Sequence, residues 1–94
     1  MDSSEQKKLA IMSCVEVVLM RREEPNYQLV VAKLNSLYKC TIVDCYENLE
    51  YLRTVLKEVY KENYNSIIDD IKLELEYLVD MEEEKTKFFK IMEG

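Results

Sequence analysis

The sequence predicts a single all-α domain, residues 1–94, of four to five short helices around one core, with a short extended connector near residues 39–43. Three observations carry this. The only glycine is Gly94 and the only proline is Pro25, so a β fold would lack the residues its tight turns need. Hydrophobic residues make up 48% and charged residues 34%, which is too apolar for disorder and suits amphipathic helices. The apolar positions then recur in steps of three and four, the period of a helix with one buried face.

The first helix is expected from about Ser4 to Arg22, opened by a capping pair of Ser3 and Gln6. Ile11, Met12, Val15, Val18 and Leu19 share its inner face, widened by Leu9, Cys14 and Val17. Glu23, Glu24 and Pro25 mark a break, because proline is preorganised for a first helical turn and acids suit the positive end of the dipole. A second helix, about Pro25 to Tyr38, aligns Tyr27, Val30, Val31, Leu34, Leu37 and Tyr38. Thr41, Ile42 and Val43 are β-branched and break the period, which gives the extended connector. Asp44 and Glu47 then have capping spacing for a third helix to about Lys61, with Leu49, Leu52, Leu56 and Val59 inward and Tyr46, Val55 and Tyr60 beside them.

After an interruption at Asn63 to Ser66, Tyr64, Ile67, Ile68, Ile71, Leu75 and Leu78 define a fourth helix. A break near Asp80 separates it from a C-terminal helix within residues 80–94. Phe88, Phe89, Ile91 and Met92 are too apolar to be left in water without a reason. They either cap the domain's own core or dock on another chain, a homodimer being the simplest such case.

The composition argues against an enzyme. There is no histidine to serve as a neutral-pH base, and no glycine-rich loop to cradle phosphate. No cofactor is expected. No apolar run reaches the ~20 residues that span a bilayer, and three cysteines make a poor disulfide framework. The expectation is a soluble, cytoplasmic protein with no membrane partner. Its net charge of −6 comes from the C-terminal third, where residues 62–94 hold ten acids and four bases. That balance disfavours nucleic acid.

Several side-chain groups invite sharper readings. Cys40 and Cys45 flank Asp44, and with Cys14 they could outline a thiolate metal site, but the second ligand pair of a structural zinc site is missing. No metal is therefore assigned. A Cys40–Cys45 redox pair is the alternative, with Cys45 as the reactive thiol if the first turn of a helix lowers its pKa. Most of the seven tyrosines fall at core margins, whereas Tyr51 and Tyr77 lie off the stripes and suit a contact surface. Glu82, Glu83 and Glu84, followed by Lys85, Lys87 and Lys90, match the dipole of a solvated helix. Lys7, Lys8, Arg21, Arg22 and Lys33 could join Arg53 and Lys57 in a basic face of helix-turn-helix type. The acids Asp44, Glu47, Glu50 and Glu58 nearly cancel those bases on the would-be recognition helix.

From Ala32 to Leu78 the order of elements carries a resemblance. Leu34-Asn35-Ser36-Leu37-Tyr38-Lys39-Cys40 leads into the connector, followed by Asp44-Cys45-Tyr46-Glu47-Asn48-Leu49-Glu50-Tyr51-Leu52, then Val55 to Tyr60 and the helix from Ile67. This pattern resembles the Nitrosopumilus output domains, small archaeal modules found alone or joined to signalling units. It departs from them at Leu49, where relatives often carry proline, and at Lys61 to Asn63, where they carry glycine. The resemblance implies a regulatory or sensory setting and no catalytic residues.

The reading is thus a non-enzymatic protein-interaction module, regulatory or signal-transducing, with Tyr51, Tyr77, Phe88, Phe89 and Met92 as its candidate surface. The alternatives are a helix-turn-helix regulator, an acidic mimic of DNA, and a cysteine-based redox or metal protein.

Overall fold

The computed structural model describes residues 3–22, 24–78 and 81–93, with the side chains of Ser3, Ser4 and Glu24 outside that description. The Ser3 side chain of the expected first cap, and Asp80, therefore lie outside the described residues. Helix α1 spans Ser3–Arg22, α2 Glu24–Tyr38, α3 Leu49–Tyr60, α4 Tyr64–Leu75 and α5 Glu82–Glu93. Short 3-10 turns at Val43–Glu47 and Lys61–Asn63 precede α3 and α4. No strand occurs among the described residues, so the connector is not an extended bridge.

Each helix contributes one apolar face. Ile11, Met12, Val15, Val18 and Leu19 of α1 meet Val30 and Leu34 of α2, Leu52, Val55, Leu56 and Tyr60 of α3, and Tyr64, Ile67, Ile68, Ile71 and Leu75 of α4 in a single core. Leu34, Leu52, Leu56 and Ile71 are completely buried, as their central stripe positions require. Val17 and Leu37, placed inward by the sequence reading, are instead largely exposed. Leu37 sits at the margin of its stripe, whereas Val17, two residues from the fully buried Val15, projects to nearly the opposite side of α1. α1 packs on α2, α4, α5 and the first 3-10 turn, while α3 packs on α2, α4 and α5. The radius of gyration is 12.4 Å, about that expected for a chain of this length folded as one unit.

The junction before α3 differs from expectation. Asp44 does not open a long helix to Lys61. The Thr41 hydroxyl accepts from the Asp44 amide (3.2 Å), and an Asp44 carboxylate oxygen accepts from the Thr41 amide (3.3 Å). This reciprocal box lies three residues upstream of the anticipated Asp44–Glu47 pair and closes a tight 3-10 turn. Asn48, at φ −138° and ψ 65°, leaves the helical region, so α3 begins afresh at Leu49.

There is no internal glycine, and among the described residues two lysines take the positive-φ positions. Lys39 (φ 53°) ends α2, and the amides of Lys39 and Cys40 return to the carbonyls of Asn35 (3.1 Å) and Leu34 (3.4 Å). These bonds satisfy carbonyls that the last helical turn leaves open. Lys61 (φ 51°, ψ −118°) ends α3. A side chain at this angle crowds the backbone, so the turn is made at a local cost.

α4 ends at Leu75 and the chain turns through Glu76 and Tyr77. α5 then folds back on the core, and Phe88 and Met92 are buried within it. Two side chains hold its end. Arg53 Nη1 donates to the Ile91 carbonyl (3.0 Å), and the Tyr64 hydroxyl donates to the Met92 carbonyl. Both carbonyls belong to the last turn and have no partner within the helix, and the guanidinium also suits the negative end of its dipole. Lys72 pairs with Glu93 and sits 5.5 Å from the Phe89 ring centroid.

Candidate interaction surface

α4 is amphipathic in an informative way. Its inner face, Tyr64, Ile67, Ile68, Ile71 and Leu75, is buried. At about 100° per residue, Asp69 and Leu73 fall on the opposite side, and Glu76 and Tyr77 follow in the turn that leaves the helix. Leu73 is 61% exposed and Tyr77 83%, the highest values among the described large hydrophobic residues. The sequence reading picked out Tyr77 and missed Leu73. Its signal was the four-residue spacing from Tyr77, which places both on one face.

Ion pairs fix the flank of this stripe against α1. Arg21 makes a two-pronged contact with Glu74, Nη1 to Oε2 at 3.0 Å and Nη2 to Oε1 at 2.9 Å. Arg22 pairs with Asp70 and donates from Nη2 to Ser66 Oγ (2.9 Å). The planar fork of Arg21 is held up in pKa chiefly by its hydrogen bonds to Glu74. Val18, Arg21, Arg22, Asp70, Leu73, Glu74, Glu76 and Tyr77 together line an open groove between α1 and α4. Its two arginines are paired within the domain, and Asp69 and Glu76 add carboxylates beside the anchors, with Lys72 near Asp69 but paired with Glu93.

The remaining candidates are placed differently. Phe88 and Met92 are core residues and are not available to a partner. Phe89 is half-buried and meets Phe88 edge-on at 4.9 Å. Tyr51 is half-buried and stacks on Tyr38, with ring centroids 4.1 Å apart and planes 4° from parallel. Of the five proposed surface residues, only Tyr77 is openly exposed. A second apolar groove lies between α2 and α3, where exposed Leu29 and Leu37 flank the Lys33–Glu58 pair.

Most residues of the suggested basic face have partners within the domain. Arg21, Arg22, Lys33 and Arg53 are each engaged within the domain, and Lys57 lies 5.4 Å from the Tyr64 ring centroid. A cleft between Lys8, Tyr46, Glu84, Lys87 and Phe88 measures about 40 Å³. That is far below the ~300–1,000 Å³ typical of small-molecule sites.

The thiols also depart from expectation. Cys45 lies in a five-residue 3-10 turn and is fully buried, so it gains no helix dipole. Burial pushes its thiol pKa well above the ordinary value, and Cys40 and Asp44 add to the shift. Cys45 thus lacks the helix-start setting and lowered pKa that the sequence reading required of a reactive thiol. Cys14 stands apart, near Glu74 and Arg21, and its pKa is also raised, chiefly by burial. Among the described residues no group of three or more cysteines and carboxylates is gathered to hold a metal ion, and no helix is long and apolar enough to cross a membrane.

No family model matches the chain, and comparison with curated proteins and with solved structures finds no match.

Proposed function

We propose that this protein is a non-enzymatic, regulatory interaction module that receives a partner segment on the outer stripe of α4. The observation that carries this reading is the exposure of Leu73 and, in the turn just past α4, Tyr77, which line one groove while the inner face of α4 is packed. Two large side chains four residues apart form the anchor spacing of helix-mediated recognition, and tyrosine is enriched in such contacts. Asp69 and Glu76 border the anchors, and the domain carries a net charge of −6. The partner is accordingly a protein segment with apolar anchors beside lysine or arginine. The likeness of Ala32 to Leu78 to archaeal output domains supports a signalling setting.

The test is selection from a random peptide library displayed on phage. Peptides enriched on the native protein should combine apolar and basic residues. They should lose at least about tenfold in affinity against a Leu73→Ser/Tyr77→Ser variant, whose net charge is unchanged. Equal binding to the variant, or enrichment of acidic peptides, would contradict the proposal.

A further inference from the structure

Cys40 and Cys45 are brought together by the turn that links α2 to α3. On a continuous helix, residues five apart point about 140° away from one another and their sulfurs could not meet. Here Lys39 reverses the chain at φ 53°, and the Thr41–Asp44 box winds it tightly back. The two sulfurs lie 3.6 Å apart, and Cys45 Sγ is 3.3 Å from the Thr41 carbonyl, to which it donates. Cys40 is partly open to solvent while Cys45 is fully buried behind it.

The geometry points to Cys40 and Cys45 as a reversible disulfide-forming modification site, with a small-molecule disulfide such as oxidised glutathione as the oxidant. The unequal exposure divides the roles. The Cys40 thiolate attacks one sulfur of the oxidant, which breaks the oxidant's S–S bond, forms a mixed disulfide and releases one thiolate. Cys45 then loses its proton to solvent and attacks Cys40 Sγ, which forms the internal bond and releases the second small thiolate. Two protein thiols are oxidised and one small disulfide is reduced to two thiols. Closure shortens the sulfur separation to ~2.05 Å, a movement side-chain rotation can share between the two residues. The raised pKa of Cys45 slows the second step at neutral pH and makes it faster in mild alkali.

The experiment treats the full chain with oxidised glutathione and follows intact mass, thiol count and peptide linkage. The native protein should lose two hydrogens, retain one free thiol, and yield a Cys40–Cys45 link. Cys45→Ser, or Cys45→Ala if the serine variant fails to fold, should instead accumulate a stable glutathione adduct on Cys40. Cys40→Ser should react at least about tenfold more slowly at Cys45, and Cys14→Ser should behave as the native chain does. A persistent adduct on the native protein, a link through Cys14, or no reaction at all would overturn the assignment.

Discussion

Among the described residues, Lys39 and Lys61 hold positive φ. Lys61 holds φ 51° and ψ −118°, a combination glycine adopts freely and lysine does not. Lys61→Gly should therefore raise stability by about 1 kcal/mol, measured as a higher urea midpoint with unchanged slope. A lower midpoint would show that the lysine side chain contributes more than its backbone strain costs. The cysteines allow a second test at this scale. Cys45 is completely buried and its thiol is held protonated, whereas Cys14 and Cys40 are partly open. In the folded state Cys45 should be the last of the three to react with iodoacetamide, as peptide mapping over time would show. Labelling of Cys45 before Cys14 would contradict the buried geometry.

At the level of elements, α5 is the decisive case. The packed Phe88 and Met92, with Arg53 and Tyr64 closing the last turn, make it part of the core. Phe88→Ala should cost about 3–5 kcal/mol in denaturant unfolding. A loss below ~1 kcal/mol would mean that α5 is only loosely attached. The sequence made most helices legible because stripes such as Ile67, Ile68, Ile71 and Leu75 keep one phase and have one place to go. It could not decide where Phe88 and Met92 pack, since the same spacing serves an internal core and an external partner. The Asp44 junction was misplaced for a local reason. Thr41, Asp44 and Glu47 offer two overlapping caps, and only the fold determines which pair closes. The Leu73–Tyr77 stripe was half visible, because leucine in a helix is read as core until a neighbour fails to cover it.

Across the whole molecule, the packing predicts an alkaline limit to stability. The Tyr64 phenol is pushed up to about 12, chiefly by burial and further by Glu93, against the lowering effect of Arg53. An unfolded tyrosine ionises near its ordinary value of 10.0, so the unfolded state loses its proton first. The stabilisation is complete below that pH and is lost as pH rises toward 12. Cys45 acts in the same direction from its lower ordinary value of 9.0. Helical circular dichroism in fixed urea should therefore fall steeply above about pH 9, and Tyr64→Phe should flatten the upper part of that fall. An identical profile in the variant would remove Tyr64 from the explanation.

The molecule divides the labour between a C-terminal helix that completes the core and an outward side formed by α4 and the turn after it. The most direct test is chemical-shift mapping of the folded protein with a library-selected apolar and basic peptide. Shifts should centre on Asp69, Leu73, Glu76 and Tyr77, while Phe88 and Met92 keep their core signals. Shifts centred on Phe88 and Met92, with loss of the Arg53 and Tyr64 contacts to α5, would contradict it and make α5 the part that a partner displaces.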